Sequence, residues 1–234
     1  MSEVSRRKPA FYALRPGGWR DYVTLLHPPY TVWNLSYVVI GATLAPDWRP
    51  IRLGAGLVAF FLGLGIGAHA LDELHDRPLQ TRIPDRVLSG LAGVSIAGAV
   101  AIGIVAAVAW TPWLAAFVAF GGFIVCAYNL ELFGGRFHGD WWLAISWGSL
   151  PILAAYLAAD GIVTWQALGA AAFGCLLIVA QRRLSTPVRL VRRRLPDAGD
   201  ATRDALVSGI EGALRAMTAA VVALAVALVI LRAR

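Results

Sequence analysis

Seven apolar segments, of which the first, fifth and sixth are short and contain polar residues, restrict what this chain can fold into. They lie at about 30–46, 52–71, 87–110, 113–132, 141–159, 163–180 and 209–231, in a chain that is 58% hydrophobic and only 15% charged. A helix that crosses the hydrocarbon core of a bilayer needs about 20 largely apolar residues. The strict apolar–polar alternation of barrel strands is absent, so the segments are expected to be helices. The sequence therefore predicts an all-α fold, a polytopic transmembrane helical bundle with about seven spans.

The chain divides into an N-terminal arm, residues 1–29, and a transmembrane helical domain, residues 30–234. Residues 19–27 of the arm are expected to form a short amphipathic helix at the membrane interface. Most of the 21 lysines and arginines fall in the arm and in the connections after the second, fourth and sixth segments. The positive-inside rule then predicts an N-terminus in the cytoplasm and a C-terminus outside. The membrane is expected to be the plasma membrane.

The net charge of +7 is explained by this topology, so no nucleic-acid partner is expected. The run Arg192–Arg194 is expected to contact the anionic headgroups of membrane lipids.

A dense polar cluster closes the second apolar segment. On a helix, His69, Asp72, Glu73 and Asp76 fall within one arc of roughly 100°. Acidic residues at a membrane boundary are costly and mark candidate functional sites, and Mg²⁺ is commonly bound by one or two carboxylates together with substrate phosphates. We therefore expect Asp72 and Asp76 to hold Mg²⁺ and a diphosphate, with Glu73 or His69 assisting. His75 points roughly 120° away from the acidic face and is not expected in the site.

Other polar residues are predicted to lie at the same end of the bundle. Arg77 and Arg82 follow the acidic cluster, and their guanidinium groups either contact phosphate oxygens or serve only to hold the loop inside. Glu131 or Asn129, at the end of the fourth segment, is expected to position an acceptor, although Glu131 is equally consistent with a solvated acid. Asn34, within the first segment, is a further candidate for binding the substrate. It needs a hydrogen-bond partner, most simply on a neighbouring helix.

The order of these elements resembles the UbiA superfamily of membrane prenyltransferases. That family's first signature is Asn-Asp-x-x-Asp-x-x-x-Asp followed by Arg-Pro. It is similar to residues 68–78, where Asp72 and Asp76 match and Ala68 and His69 replace the leading Asn-Asp. The pair Trp33-Asn34 resembles the family's first-helix Asn. Residues 128–156 resemble the fourth- and fifth-helix region of naphthoate-type quinone prenyltransferases, and the whole likeness covers roughly residues 22–190.

The resemblance implies a bundle, typically of nine helices, that binds a prenyl diphosphate through Mg²⁺ and transfers the prenyl group to an aromatic or lipid-soluble acceptor. This chain departs from the family in its smaller number of segments and in its second Asp-rich motif, which is replaced by residues 181–187, Gln-Arg-Arg-Leu-Ser-Thr-Pro. Arg182 and Arg183 would bind the phosphates there as guanidinium forks in place of a second metal ion.

Three other functions remain open. A terpene cyclase with the same fold would use the diphosphate without an acceptor. A non-catalytic isoprenoid- or quinone-binding membrane protein would keep the fold and lose the chemistry, which the missing second motif favours. An iron enzyme would use His69, Asp72, His75 and Asp76 as ligands, but the position of His75 on the helix counts against it.

Overall fold

The computed structural model describes residues 9–194 and 200–233, with side-chain surroundings for residues 9–191 and 205–233. These residues form helices and no strand, so the predicted all-helical fold is confirmed. The helices are α1 (Trp19–Leu25), α2 (Pro28–Leu44), α3 (Pro50–Asp76), α4 (Asp85–Ala109), α5 (Leu114–Asn129), α6 (Asp140–Asp160), α7 (Trp165–Arg194) and α8 (Asp200–Arg232).

Five of these helices, α3, α4, α6, α7 and α8, are long and apolar enough to cross a membrane. The apolar helix α5 has 16 residues and α2 has 17, which makes both shorter than a typical span. Length and composition therefore indicate a multi-pass membrane protein, and α2–α8 overlap the seven predicted segments. Helix α7 departs most from the prediction, because it continues to Arg194 where the sixth segment was expected to end at residue 180.

Close approach of helix backbones ties the bundle together. Helix α2 packs against α6 and α8, α6 packs against α7, and α3 packs against α4. A Cβ atom built on Gly148 of α6 would lie 2.5 Å from the carbonyl oxygen of Gly174 on α7. One built on Gly41 of α2 would lie 2.2 Å from the carbonyl oxygen of Ile152. Glycine is required at both crossings because a larger residue would contact the neighbouring backbone. Small residues commonly lie where membrane helices approach each other closely.

The two ends of the bundle differ. We call the end that carries α1 and the loops 77–84 and 130–139 the polar end. At the opposite end, two arginines cap helix termini, where the last carbonyls lack intrahelical partners. Arg232 Nε donates to the carbonyl oxygen of Thr43 at 2.8 Å, and Arg52 Nη1 donates to that of Ala158 at 2.8 Å.

Helices α3 and α6 each contain wider, π-helical turns, at Phe61–Ala68 and Ala144–Ser149. Such turns are rare within α-helices and frequent at functional sites. The first leads directly into His69 and the acidic cluster. Ala68 from the first segment and Trp147 from the second line the same cavity at the polar end.

Candidate functional site

A cavity of about 610 Å³ lies at the polar end between α2, α3, α5, α6, α7 and α8. Its wall combines carboxylates, guanidinium groups, imidazoles and phenols with the apolar side chains of Trp33, Trp147, Ile178 and Leu214. A cavity of this size with a mixed lining is typical of a binding site for a small molecule. It is therefore the candidate functional site.

Helix α3 contributes Asp72 and Asp76 to the cavity wall, together with His69 and His75. Asp72 is half-buried, whereas Asp76 is exposed at the last turn of the helix. The expectation that His75 lies outside the site was wrong. On a helix, His75 is only about 60° from Asp72. The cavity lies on the side of Asp72 and not on the side of Glu73, so the side chains of Asp72 and His75 both face it.

Glu73 lies outside the cavity, and its predicted role in assisting the metal does not agree with its surroundings. The side chain is fully buried. One carboxylate oxygen, Oε2, accepts a hydrogen bond from the Leu79 amide at 2.9 Å. The other, Oε1, accepts from the amide and the hydroxyl of Thr81 at 2.7 and 2.8 Å. Glu73 faces away from Asp72 because successive helical residues are about 100° apart, and its carboxylate is the centre around which the loop 77–84 folds.

The two arginines of this loop also lie outside the cavity lining. Arg77 has a positive φ of 50° and ends the helix, and its guanidinium group donates to the carbonyl oxygen of Ile83 at 2.7 Å and pairs with Asp85. Arg82 is exposed, and its backbone amide donates to Asp21 Oδ2 at 3.0 Å. The expected phosphate contacts of Arg77 and Arg82 are thus replaced by contacts that shape the loop.

Helix α7 supplies the basic side of the cavity. Arg182 lines it and donates from Nε to Asp140 Oδ1 at 3.0 Å. Arg183, the next residue, is turned about 100° away and is exposed, so its predicted phosphate contact is not supported by its position. Two turns further on, Arg189 also lines the cavity, and its Nη2 donates to Thr186 Oγ1 at 3.2 Å.

Asn34, Asn129 and Glu131 all line the cavity, as the sequence analysis placed them in the site. Asn34 is buried, and its Oδ1 has no hydrogen-bond partner among the residues that the structure describes. The helix–helix hydrogen bond predicted for Asn34 is therefore not made by this oxygen. Asn129 is buried and donates from Nδ2 to the carbonyl oxygen of Val125 at 2.7 Å. Glu131 is exposed, with Oε1 3.8 Å from Nδ1 of His138.

The N-terminal segment before α1 enters the site, although no pattern in the sequence predicts this. Phe11 and Tyr12 line the cavity, and the Arg215 guanidinium group of α8 lies 4.9 Å from the centre of the Phe11 ring. The Tyr12 hydroxyl lies 2.8 Å from Nδ1 of His27. Burial raises the pKa of Tyr12 well above its usual value, and burial lowers the pKa of His27 well below its own. Both side chains are therefore neutral near pH 7.

Several cavity residues were missed at the sequence level. Ser185 and Arg189 share a face of α7 with Arg182 through their spacing of three and seven residues, and Gln181 lies four residues before Ser185 on the neighbouring part of that face, a signal that was available. Glu211, on α8, is an acid at the start of an apolar segment and was available as well. Tyr12 carried no local signal, because its place in the cavity depends on how the chain before α1 turns back.

Two aspartates four residues apart fit the usual mode of Mg²⁺ binding, in which one or two carboxylates act together with water and substrate phosphates. Within residues 9–194 and 200–233, no group of three or more His, Cys, Asp or Glu side chains is arranged to hold a metal ion. The four-ligand set expected for an iron enzyme is therefore not formed.

Comparisons of the chain with protein-family models, with curated proteins and with solved structures found no match.

Proposed function

We propose that this protein is an integral-membrane prenyltransferase. Its cavity at the polar end would bind a prenyl diphosphate and a lipid-soluble acceptor, and the prenyl group would pass from the diphosphate to the acceptor. The proposal takes its reaction class from the UbiA resemblance, and it takes its site from the geometry of the cavity.

The observation that carries the proposal is that acidic and basic side chains from two helices line one cavity. Asp72 and Asp76 lie on α3, whereas Arg182 and Arg189 lie on α7, far away in the sequence. A diphosphate needs both kinds of partner: carboxylates that hold a cation, and guanidinium groups that donate hydrogen bonds to its oxygens. On this proposal, the arginines of α7 would take the place of the second Asp-rich motif of the UbiA superfamily.

The proposed chemistry assigns each side of the cavity one task. A Mg²⁺ ion held by Asp72 and Asp76 would neutralise the charge that develops on the leaving diphosphate. Arg182 and Arg189 would donate hydrogen bonds to the phosphate oxygens. The apolar wall, which includes Trp33 and Trp147, would surround the prenyl group and exclude water.

We also propose that the polar end faces the cytoplasm in the plasma membrane. The exposed Arg82 and Arg183 lie at this end, where they would contact anionic headgroups of the inner leaflet. The side chains of Arg192–Arg194, predicted to have the same role, lie outside the described residues.

The test is prenyl transfer by purified protein in Mg²⁺, with farnesyl or geranylgeranyl diphosphate and a panel of aromatic acceptors. The double variant Asp72→Asn, Asp76→Asn should lose at least about a hundredfold in rate, the scale seen when charge stabilisation is removed from an active site. Asp47→Asn, an exposed aspartate at the opposite end, is the matched control and should retain the wild-type rate. Wild-type turnover by the double variant would refute the proposal.

Product analysis also separates the alternatives. A cyclised product formed without an acceptor would replace the proposal with a terpene cyclase. Binding of polyprenol without any turnover would replace it with a non-catalytic isoprenoid-binding protein.

A further inference from the structure

A second, smaller hollow lies between α3, α4, α5 and α6 and extends toward the end of the bundle opposite the polar end. We call it the apolar groove; its volume is about 150 Å³, and it is partly open to the surroundings of the bundle. Among its lining residues, Arg52 is the only one that carries a charge. The groove shares only Trp147 with the cavity at the polar end, so the proposed diphosphate chemistry leaves it unexplained.

Small residues form the groove without closing it. Ala59, Ala99 and Gly121 belong to three different helices and all line it. A Cβ atom built on Gly121 would meet its nearest side-chain atom, on Leu150, only at 3.7 Å. Small residues usually let membrane helices approach closely, but here they border open space. An unfilled space forfeits the van der Waals contacts of its wall, so hydrocarbon from the bilayer is the expected filling.

The groove is long enough for a lipid chain. Along α4 its lining runs from Ile96 to Trp110, which corresponds to about 21 Å of helix at about 1.5 Å per residue. One leaflet of a bilayer contributes about 15 Å of hydrocarbon, half of a core that is about 30 Å thick. An acyl chain that begins at the Arg52 end can therefore lie in the groove along its whole length.

The Arg52 end of the groove lies at the level expected for lipid headgroups. Trp113 and Trp165 are exposed at this end of the bundle, and tryptophan is enriched where a membrane protein meets the interface between hydrocarbon and water. The Arg52 guanidinium group lies 5.3 Å from the centre of the Trp110 ring, which places its charge beside the mouth of the groove.

The charge of Arg52 is only partly offset by the protein. Both of its hydrogen bonds come from Nη1, to the last carbonyl oxygens of α6. The end of a helix supplies only about half an elementary negative charge. Within residues 9–194 and 200–233, no carboxylate forms an ion pair with Arg52. Its Nε and Nη2 groups are thus available as donors to an anion, next to an apolar groove.

We propose that the apolar groove binds one phospholipid of the leaflet opposite the polar end. One acyl chain lies between α3, α4, α5 and α6, and the phosphate accepts hydrogen bonds from Nε and Nη2 of Arg52. Hydrogen bonds between a guanidinium group and a phosphate are charge-assisted and about twice as strong as neutral ones. The inference is independent of the proposed function, because it involves neither the aspartates of α3 nor the arginines of α7.

The experiment uses phosphatidylglycerol with a photoreactive diazirine in one acyl chain, added to the full-length protein in detergent micelles. After irradiation, peptide mass spectrometry measures the labelling of residues 114–125, which line the groove, and of residues 220–232 on α8, which do not. Labelling of residues 114–125 should saturate, and labelling of residues 220–232 should not. A diacylglycerol probe with the same chains lacks the phosphate. It should need at least about a tenfold higher concentration for half-saturation, the factor expected for a hydrogen bond to a charged group.

Arg52→Gln tests the phosphate contact. This variant should raise the half-saturating concentration of the phosphatidylglycerol probe about tenfold and leave that of the diacylglycerol probe unchanged. Arg49→Gln is the matched control, since Arg49 is an exposed arginine at the same end, and it should behave as the wild type does. Wild-type saturation in Arg52→Gln, or an equal loss in Arg49→Gln, would overturn the inference.

Gly121→Leu tests the acyl-chain contact by filling the groove. It should abolish the saturable labelling by both probes, whereas Gly93→Leu, at a position on α4 with nothing within 4 Å of an added Cβ, should not. If Gly121→Leu does not fold, Arg52→Gln still decides. Displacement of the probe from the wild type by geranylgeranyl diphosphate as effectively as by unlabelled phosphatidylglycerol would assign the groove to the prenyl chain and overturn the inference. Saturable labelling without any binding of geranylgeranyl diphosphate would refute only the proposed function.

Discussion

Replacing Glu73 by Gln should open the loop 77–84 while leaving the diphosphate site in place. In the structure its carboxylate accepts three hydrogen bonds, from the Leu79 amide and from the amide and hydroxyl of Thr81. A Gln side chain has one acceptor oxygen, so at least one buried N–H would face an amide NH₂ group. Loss of a hydrogen bond to a charged group costs about 1.5–3 kcal/mol. Weakening of the remaining bonds brings the expected loss of local stability to about 3 kcal/mol.

Hydrogen exchange measured by mass spectrometry is the direct assay, because it reports on the amides of the loop. A loss of about 3 kcal/mol corresponds to roughly a hundredfold loss of protection in the peptide that spans residues 77–84. Glu131→Gln is the matched control, since Glu131 is an exposed acid at the same end of the bundle. Its effect on the loop should stay within about 0.5 kcal/mol.

The same variant distinguishes the structural role of Glu73 from the metal role expected from its sequence position. The Glu73→Gln variant should retain Mg²⁺-dependent binding of prenyl diphosphate in the fraction of molecules in which the loop 77–84 is folded. Unchanged protection of the loop, combined with loss of Mg²⁺-dependent binding, would refute the reasoning and return Glu73 to the metal site.

Three further results are expected. Gly148→Ala should destabilise the bundle by about 1–3 kcal/mol in detergent unfolding, because its Cβ would lie 2.5 Å from the carbonyl oxygen of Gly174; Gly169→Ala, which meets nothing within 4 Å, should not. Arg232→Ala should lower stability by about 1 kcal/mol per lost hydrogen bond to the end of α2; an unchanged midpoint would show that the cap contributes nothing. Because the pKa of His27 is lowered in the folded protein, stability should fall as the pH drops below about 6.5, by at most about 1.4 kcal/mol per pH unit. His27→Asn should fall less, and equal slopes in thermal unfolding would contradict this.

The fold could be predicted from the sequence because a hydrocarbon environment leaves the backbone few choices. Long apolar segments must form helices, and their order along the chain was readable. Their number as membrane spans was not, because among the described residues five helices are long and apolar enough to cross a membrane. The predicted end of the sixth segment, which corresponds to α7, was wrong for a physical reason. Gln181, Arg182 and Arg183 look like the edge of a span, but the helix continues to Arg194 because Gln181, Arg182 and Arg189 face a polar cavity inside the bundle.

The candidate site was predictable where it depends on helical spacing and not where it depends on loops. Asp72 and Asp76 share a helix face, so their common position followed from the sequence. The surroundings of Glu73 and Arg77 depend on a loop that folds back over the end of α3, which no local pattern records. The entry of Tyr12 into the cavity is a tertiary contact of the same kind.

The central claim, that α3 and α7 together bind one diphosphate, is tested most directly by titration calorimetry of geranylgeranyl diphosphate with and without Mg²⁺. The wild-type protein should bind more tightly in Mg²⁺, and the double variant Asp72→Asn, Asp76→Asn should lose that dependence. Arg182→Gln combined with Arg189→Gln should weaken binding under both conditions. Wild-type affinity and wild-type Mg²⁺ dependence in the double aspartate variant would contradict the account.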